Sequence, residues 1–183
     1  YNIYKNLNIK NMSVKLNSIG SSDIRFQYLE LLKNKLDKYI NDFCNTCKIR
    51  FLKNALRIFD CKNSQCQKIL DDKAPLIYDS ISNSDAEHFQ MVTQILDKMN
   101  IPFIHDKKLV RGLDYYTHTT FEITSDILGA QDALCGGGRY NKLVEQLGGK
   151  PTPAVGFAAG VERLILALGE IDKIEINPDI YFI

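Results

Sequence analysis

Arg111-Gly112-Leu113-Asp114-Tyr115-Tyr116, followed downstream by Cys135-Gly136-Gly137-Gly138-Arg139-Tyr140, decides how this chain is read. Between them runs Thr117-His118-Thr119-Thr120-Phe121-Glu122-Ile123-Thr124, alternating and β-branched, which predicts a strand. An arginine, two adjacent tyrosines and a glycine-flanked Arg-Tyr pair then fall at the ends of neighbouring strands. That set suits a small polar ligand carrying negative charge. Arginine offers a planar fork of donors to carboxylate or phosphate, and tyrosine an apolar wall with a polar tip. The plainer alternative is a surface turn with an exposed ion pair, which contributes little. Two aromatics beside a β-branched strand imply partial burial instead, and a buried arginine needs an anionic partner, either Asp114 or a ligand. The triplet Gly136-Gly137-Gly138 reads as a turn after a strand from Ala133, free to take positive φ and to let a ligand close to the backbone, or else as a tight strand end or bulge. It is not a phosphate loop, because no Lys-Ser or Lys-Thr follows and the dinucleotide glycine spacing is missing.

Working outward, 183 residues make one domain, or one domain carrying an insertion. With 45% hydrophobic and 25% charged residues the composition is that of an ordinary globular protein. A formal net charge of +1 leaves room only for a local basic patch. No apolar run approaches the roughly 18 residues of a membrane span and no signal-peptide pattern opens the sequence, so the expectation is a cytoplasmic protein without a membrane partner. A first residue other than methionine and the apolar end Pro178-Asp179-Ile180-Tyr181-Phe182-Ile183 suggest a piece of a longer protein.

Met12 to Asn17 alternates and predicts a strand. Ser21-Ser22-Asp23 caps a helix of about five turns whose inward stripe is Phe26, Leu29, Leu32, Leu36, Ile40 and Phe43. Ala55 to Phe59 reads as a strand and Ser64 to Leu70 as a short helix. Ser84-x-x-Glu87 is a capping box for a second helix with Phe89, Val92, Leu96 and Met99 inward, stopping at Asn100 before Pro102. Ile101 to Ile104 returns as a strand. After the glycines comes a helix over Asn141 to Leu147, then the small apolar run Ala154 to Gly160 and a last helix carrying Glu162, Arg163 and Leu168. Gly156 and Gly160 leave room for something flat against the backbone, and Arg163 falls in a first helical turn, where free N–H groups favour phosphate; its alternative is a pair with Glu162 or solvent. The coarse picture is a strand-rich frame at both ends with a largely helical piece, about Ser21 to Asp106, set into it.

Two further clusters lie in that piece. Cys44-x2-Cys47 and Cys61-x4-Cys66, thirteen residues apart, approach zinc-site spacing, and four thiolates satisfy a tetrahedral ion. The alternative is four reduced thiols packed as small apolar residues. Lys48, Arg50, Lys53 and Arg57 form a local basic run for RNA phosphates, or a solvated face flanked by Asp42 and Asp60. His88, His105 and His118 are too far apart in sequence to point to another site.

Taken together, these residues resemble the histidyl-tRNA synthetase family of class II aminoacyl-tRNA synthetases. Leu109-Val110-Arg111-Gly112-Leu113-Asp114-Tyr115-Tyr116 and Gly137-Gly138-Arg139-Tyr140 look like its two histidine-specific motifs. Ala154-Val155-Gly156-Phe157-Ala158-Ala159-Gly160-Val161-Glu162-Arg163-Leu164 resembles its version of class II motif 3. The resemblance implies an α+β fold, an antiparallel sheet flanked by helices and interrupted by a mainly helical insertion. The implied division is a catalytic segment at 1–20, an insertion on the acceptor-arm side of tRNA at 21–107, the catalytic core at 108–176 and the start of an anticodon-binding domain at 177–183. It implies L-histidine, ATP, tRNA(His) and Mg2+ as substrates and cofactor, and a homodimer. Arg111 would be catalytic, touching both the histidine carboxylate and the ATP α-phosphate. Tyr115, Tyr116, Tyr140 and Gly156 would bind histidine, and Gly160 and Arg163 would bind ATP. Lys48, Arg50 and Lys53 would face tRNA. The family's dimer helix and its motif 2 arginine have no counterpart in the sequence, so this chain alone is expected to be inactive. The regulatory subunit of ATP phosphoribosyltransferase, a non-catalytic relative, is the competing reading.

Overall fold

The computed structural model describes residues 1–129 and 131–169. The expected anticodon-domain start at 177–183 lies outside the described residues. In chain order the elements are α1 (Asn2–Asn6), β1 (Met12–Ser18), α2 (Ser22–Leu36), α3 (Asn45–Lys53), α4 (Ser64–Lys73), α5 (Asn83–Lys98), β2 (Ile104–His105), β3 (Thr117–Ser125), β4 (Ala133–Arg139), α6 (Leu143–Gln146), β5 (Val155–Ala159) and α7 (Val161–Leu168). The strands form one sheet in the order β2-β1-β3-β4-β5, parallel only between β1 and β2. The chain therefore adopts an α+β fold, a five-stranded, mainly antiparallel sheet flanked by helices, with α2 to α5 between β1 and β2 in the sequence.

Strand alternation sorts the side chains onto two faces. Val14, Leu16, Ile123 and Cys135 turn to a core shared with Tyr4, Phe89 and Ala167. On the other face the register lines up Lys15, Glu122, Gly136 and Ala158 in one row and Asn17, Thr120, Gly138 and Gly156 in the next. Over that polar, small-residue face lies the segment carrying Arg111 and Tyr116, which joins the helical core of Tyr28, Leu32, Leu36, Phe51, Leu56, Ile58 and Leu70 through Val110 and Tyr116.

Several local expectations are corrected. The first long helix ends at Leu36 and continues as a 3₁₀ turn over Asp37–Asp42. Its buried stripe is Arg25, Tyr28, Leu32 and Leu36, while Phe26, about 100° round the axis from Arg25 at 3.6 residues per turn, is 65% exposed. Ala55–Asp60 is a 3₁₀ turn, not a strand; its apolar residues are buried among helices with no strand edge to pair with. The second long helix is capped two residues earlier than expected. Ser82 Oγ accepts from the Asp85 N–H at 3.1 Å, a serine N-cap, and donates to Asp85 Oδ2 at 2.8 Å. On α5, Phe89 is inward as expected but Met99 is exposed. Of the Ile101 to Ile104 stretch only Ile104 is in a strand, β2. The helix expected over Asn141 to Leu147 is the single turn α6. The glycine triplet lies inside β4 rather than in a turn, and positive φ is not its reason, since among the described glycines only Gly20, Gly129, Gly148 and Gly169 adopt it.

Candidate functional site

Arg111 lies on the polar face of the sheet, where its Nη1 donates to Glu122 Oε2 at 2.9 Å. The anionic partner within the chain is thus Glu122; Asp114, the partner expected from sequence, pairs with Arg25 instead. Gly136 makes this possible. A Cβ built there would come within 2.6 Å of Arg111 Nη1 and 2.7 Å of its Cζ, so the guanidinium occupies the space a side chain would take. Burial pushes the Glu122 carboxyl above its ordinary value, with the Arg111 and Lys15 charges opposing. A cavity of about 320 Å³ opens at Glu122, its charged lining being Lys15, Asp60, Lys62, Asp106 and Lys108.

The three tyrosines named from sequence come together. Ring centroids lie 4.6 Å apart for Tyr115 and Tyr116, 5.8 Å for Tyr115 and Tyr140, and 6.3 Å for Tyr116 and Tyr140. Burial pushes the Tyr116 phenol up, Tyr115 adds to the effect and Arg111 opposes it. Gly156 faces Tyr140, where a Cβ would stand 2.4 Å from the phenolic oxygen. Gly138, in the same row, would meet Tyr116 Cδ1 at 3.0 Å. Aromatic walls on a glycine floor, beside a fixed guanidinium, suit a flat ring attached to an anionic group.

The segment carrying Arg111 is held from three directions, by residues that sequence reasoning missed. Asn17, fully buried on β1, donates to the carbonyls of Lys107 and Leu109 at 3.1 and 2.9 Å. Asn54 donates to Gly112 O at 3.0 Å. Arg25 donates through Nη1 to Leu113 O at 3.0 Å and Tyr116 O at 3.3 Å, and through Nη2 to Asp114 Oδ1 at 2.9 Å. The available signal was a charged residue in step with Tyr28, Leu32 and Leu36 on an apolar stripe. Burial lowers the Arg25 guanidinium from its usual range, with Asp114 opposing. Because the Asp114 side chain is 87% exposed, its ion pair contributes little and the two carbonyls carry the tether. Arg25→Met is therefore expected to lower the unfolding free energy by about 2–4 kcal/mol by leaving two acceptors unpaired, and Asp114→Asn by under about 1 kcal/mol. Denaturant unfolding reads both, and equal losses would contradict this division.

The histidines separated in sequence meet in part. His88 on α5 lies 5.4 Å from His118, ring to ring. His118 Nδ1 is 2.9 Å from buried Asp85 Oδ1, but off the line of a hydrogen bond. A bulge in β3 turns His118 this way, at φ 52, with its N–H donating to Gly20 O. Burial lowers the His88 imidazole below 6.5, the His118 and Arg139 charges adding and Asp85 opposing; His105 is lowered by burial as well. A depressed folded-state pKa means that the unfolded chain takes the proton first. The associated stability is complete above about 6.5 and is lost as pH falls through the folded value. Relative to wild type, His88→Gln should lose less of its urea midpoint, or gain more, between pH 7 and pH 5. Parallel pH profiles for the two proteins would exclude His88 as a contributor.

The remaining predicted residues are dispersed. Arg163, in the first turn of α7, donates to Ala133 O at 2.9 Å and Gln131 Oε1 at 3.1 Å rather than pairing with Glu162. Gly160 caps α7. On α3, Arg50 and Lys53 share a side at three-residue spacing while Lys48 points elsewhere. Arg50 Nη1 donates to Arg57 O at 3.1 Å, and Arg57 reaches Asp60 at 3.8 Å. Cys44, Cys47, Cys61 and Cys66 converge, with all four sulfurs within 4.8 Å of one another.

A family model described as histidyl-tRNA synthetase matches residues 16–164. The histidine–tRNA ligase of Natranaerobius thermophilus is 45% identical over 96% of this chain, and that of Thermodesulfovibrio yellowstonii 48% identical over 87%. The chain spans 41% and 38% of the length of those two relatives. An apo histidyl-tRNA synthetase structure from S. aureus superposes with a TM-score of 0.68 at 36% identity, covering 93% of this chain and 42% of that one. A Bacillus halodurans protein titled ATP phosphoribosyltransferase regulatory subunit/histidyl-tRNA synthetase shares the fold at 17% identity, with a TM-score of 0.53.

Proposed function

Since the chain belongs to the histidyl-tRNA synthetase family, we propose that the whole protein is a histidine–tRNA ligase, which activates L-histidine with ATP and transfers it to tRNA(His). The observation that carries this reading is Arg111 seated on Gly136 beside three clustered tyrosines. In the reaction a histidine carboxylate oxygen attacks the α-phosphorus of ATP, a new P–O bond forms, and the bond to the departing pyrophosphate breaks. Arg111, held in place before substrate arrives, offsets the negative charge that grows on the α-phosphoryl oxygens without waiting for solvent to reorganise. Tyr115, Tyr116 and Tyr140 wall in the imidazole over the glycines at 138 and 156, while Gly160 and Arg163 lie on the ATP side.

Mg2+ needs only one or two carboxylates besides phosphate oxygens and water. Glu122 is tied to Arg111, whereas Asp60 and Asp132, loosely paired at 3.8 Å with Arg57 and Lys15, are oxygen donors that fit it. When bound, the ion neutralises charge on the pyrophosphate. The helical insertion expected over 21–107 serves the acceptor arm of tRNA, with Lys48, Arg50 and Lys53 as its basic residues, and the catalytic segments at 1–20 and 108–176 close around the substrates. The protein works as a cytoplasmic homodimer in this reading. Histidine-dependent ATP–pyrophosphate exchange by the full-length protein is the test. Exchange is expected; histidine binding without any exchange would favour the regulatory-subunit reading instead.

A further inference from the structure

The four cysteines form a site that histidine activation does not use. Two copies of one local device build it. Cys44 caps α3 and Cys47 stands in its first turn; Cys61 ends the Ala55–Asp60 turn and Cys66 stands in the first turn of α4. Asn63 caps α4 by accepting from the Cys66 N–H at 3.1 Å, which sets the second pair as firmly as the first. All four sulfurs lie within 4.8 Å of one another, and Cys44 and Cys61 are 3.8 Å apart. A tetrahedral zinc with Zn–S bonds of about 2.3 Å has sulfurs about 3.8 Å apart along each edge. A disulfide would need about 2.05 Å, and all four cysteines are free.

Packing as small apolar residues does not require four sulfurs from three separate segments to converge on one point. Nor does it require the backbone to donate to them, yet Cys44 N–H points to Cys66 Sγ at 3.2 Å and Asn63 N–H to Cys61 Sγ at 3.4 Å. Such N–H···S bonds are what support ligating thiolates. Cys47 and Cys66 are fully buried, whereas Cys44 is half-buried and leaves an entry path. Lys48 and Lys62, each directly following a ligand, bring positive charge to a centre that carries two net negative charges with zinc.

The site is also placed to matter beyond its own helices. Asn54, at the end of the helix that holds Cys47, donates to Gly112 O. Arg57, in the turn that ends at Cys61, packs so closely on Gly112 that a Cβ there would lie 2.8 Å from Arg57 Cγ. Cys61 and Lys62 line the same cavity as Glu122. The stretch between the two cysteine pairs is therefore the part of the insertion that grips the residue after Arg111.

We infer that Cys44, Cys47, Cys61 and Cys66 bind one structural Zn2+, and that this ion clamps the Asn54–Asp60 stretch against the Arg111–Gly112 backbone. The inference does not depend on which reaction the protein catalyses. The test is elemental analysis of full-length protein purified without a histidine tag. One zinc per chain is expected in the wild type and none bound at this site in Cys47→Ser/Cys66→Ser. Cys44→Ser, which alters the half-buried ligand, serves where the double variant does not fold. Metal-free wild-type protein with four titratable thiols here, zinc retained by both variants, or iron with its visible thiolate absorption would each overturn the zinc assignment. For the clamp, chelation should raise amide exchange at least about tenfold over Cys44–Cys66 and at Gly112–Leu113, and Zn2+ should restore it; unchanged exchange at Gly112 after zinc loss would overturn that part.

Discussion

Arg111→Ala in the full-length protein is expected to reduce histidine-dependent ATP–pyrophosphate exchange by about 10²–10³-fold, the usual consequence of removing one preorganised donor to developing charge. The fall should appear in kcat with KM for histidine changed far less, because the guanidinium matters most when charge on the α-phosphoryl group is greatest. Arg111→Lys should recover little. A lysine ammonium is a point charge on a flexible stem and cannot both hold Glu122 Oε2 and present a second planar donor pair across Gly136. A raised KM with kcat intact would make Arg111 a binding group only, and unchanged kinetics would remove it from the site. The global fold should survive, since Arg111 is part-buried and its ion pair is with Glu122, which is itself only part-buried.

Gly136→Ala is expected to cost nearly as much activity, about 10²-fold, with little change in stability. Its Cβ would collide with the end of a flexible side chain, the Arg111 guanidinium, which can swing aside at the expense of its alignment. Gly137→Ala supplies the contrast one residue on. There the Cβ would fall 2.2 Å from the Gly156 carbonyl oxygen and 2.7 Å from Phe157 Cβ, so the collision is with the β5 backbone that pairs with β4. Overpacking of that kind costs about 1–3 kcal/mol or more and should lower the unfolding midpoint. Thermal melts beside exchange assays separate the two. If Gly136→Ala unfolds the protein, or leaves the exchange rate intact, the close seating of Arg111 is not what that glycine provides.

That Arg111 and the three tyrosines would lie together in a candidate site was legible in the sequence because its chemistry is local. Arg111, Tyr115 and Tyr116 are near neighbours in one run, and Tyr140 follows a glycine triplet whose lack of side chains has meaning wherever it folds. The cysteine pairs were legible for the same reason, since an x2 spacing sets two sulfurs at the start of one helix and an x4 spacing keeps the other two close along the chain. What could not be read was the reason for the glycines. A turn and a buried strand on which another chain segment lies close both call for glycine, and only the pairing of β3, β4 and β5 shows the second. Ala55–Asp60 failed similarly: a short apolar run carries no period long enough to tell strand from 3₁₀ turn.

The sequence by itself determined the strands β1 and β3, the alternation that gives the sheet an apolar and a polar face, the two long amphipathic helices and the family. These depend on side-chain periodicity and on contiguous motifs, which survive without knowledge of distant contacts. Tertiary structure alone decided the partners: Glu122 rather than Asp114 for Arg111, Arg25 and Asn17 as tethers from α2 and β1, His88 against His118, and one point of convergence for four cysteines. A buried charge or donor must find a partner, but it takes whichever one the packing of remote segments brings within about 3 Å, and sequence spacing holds no record of that distance.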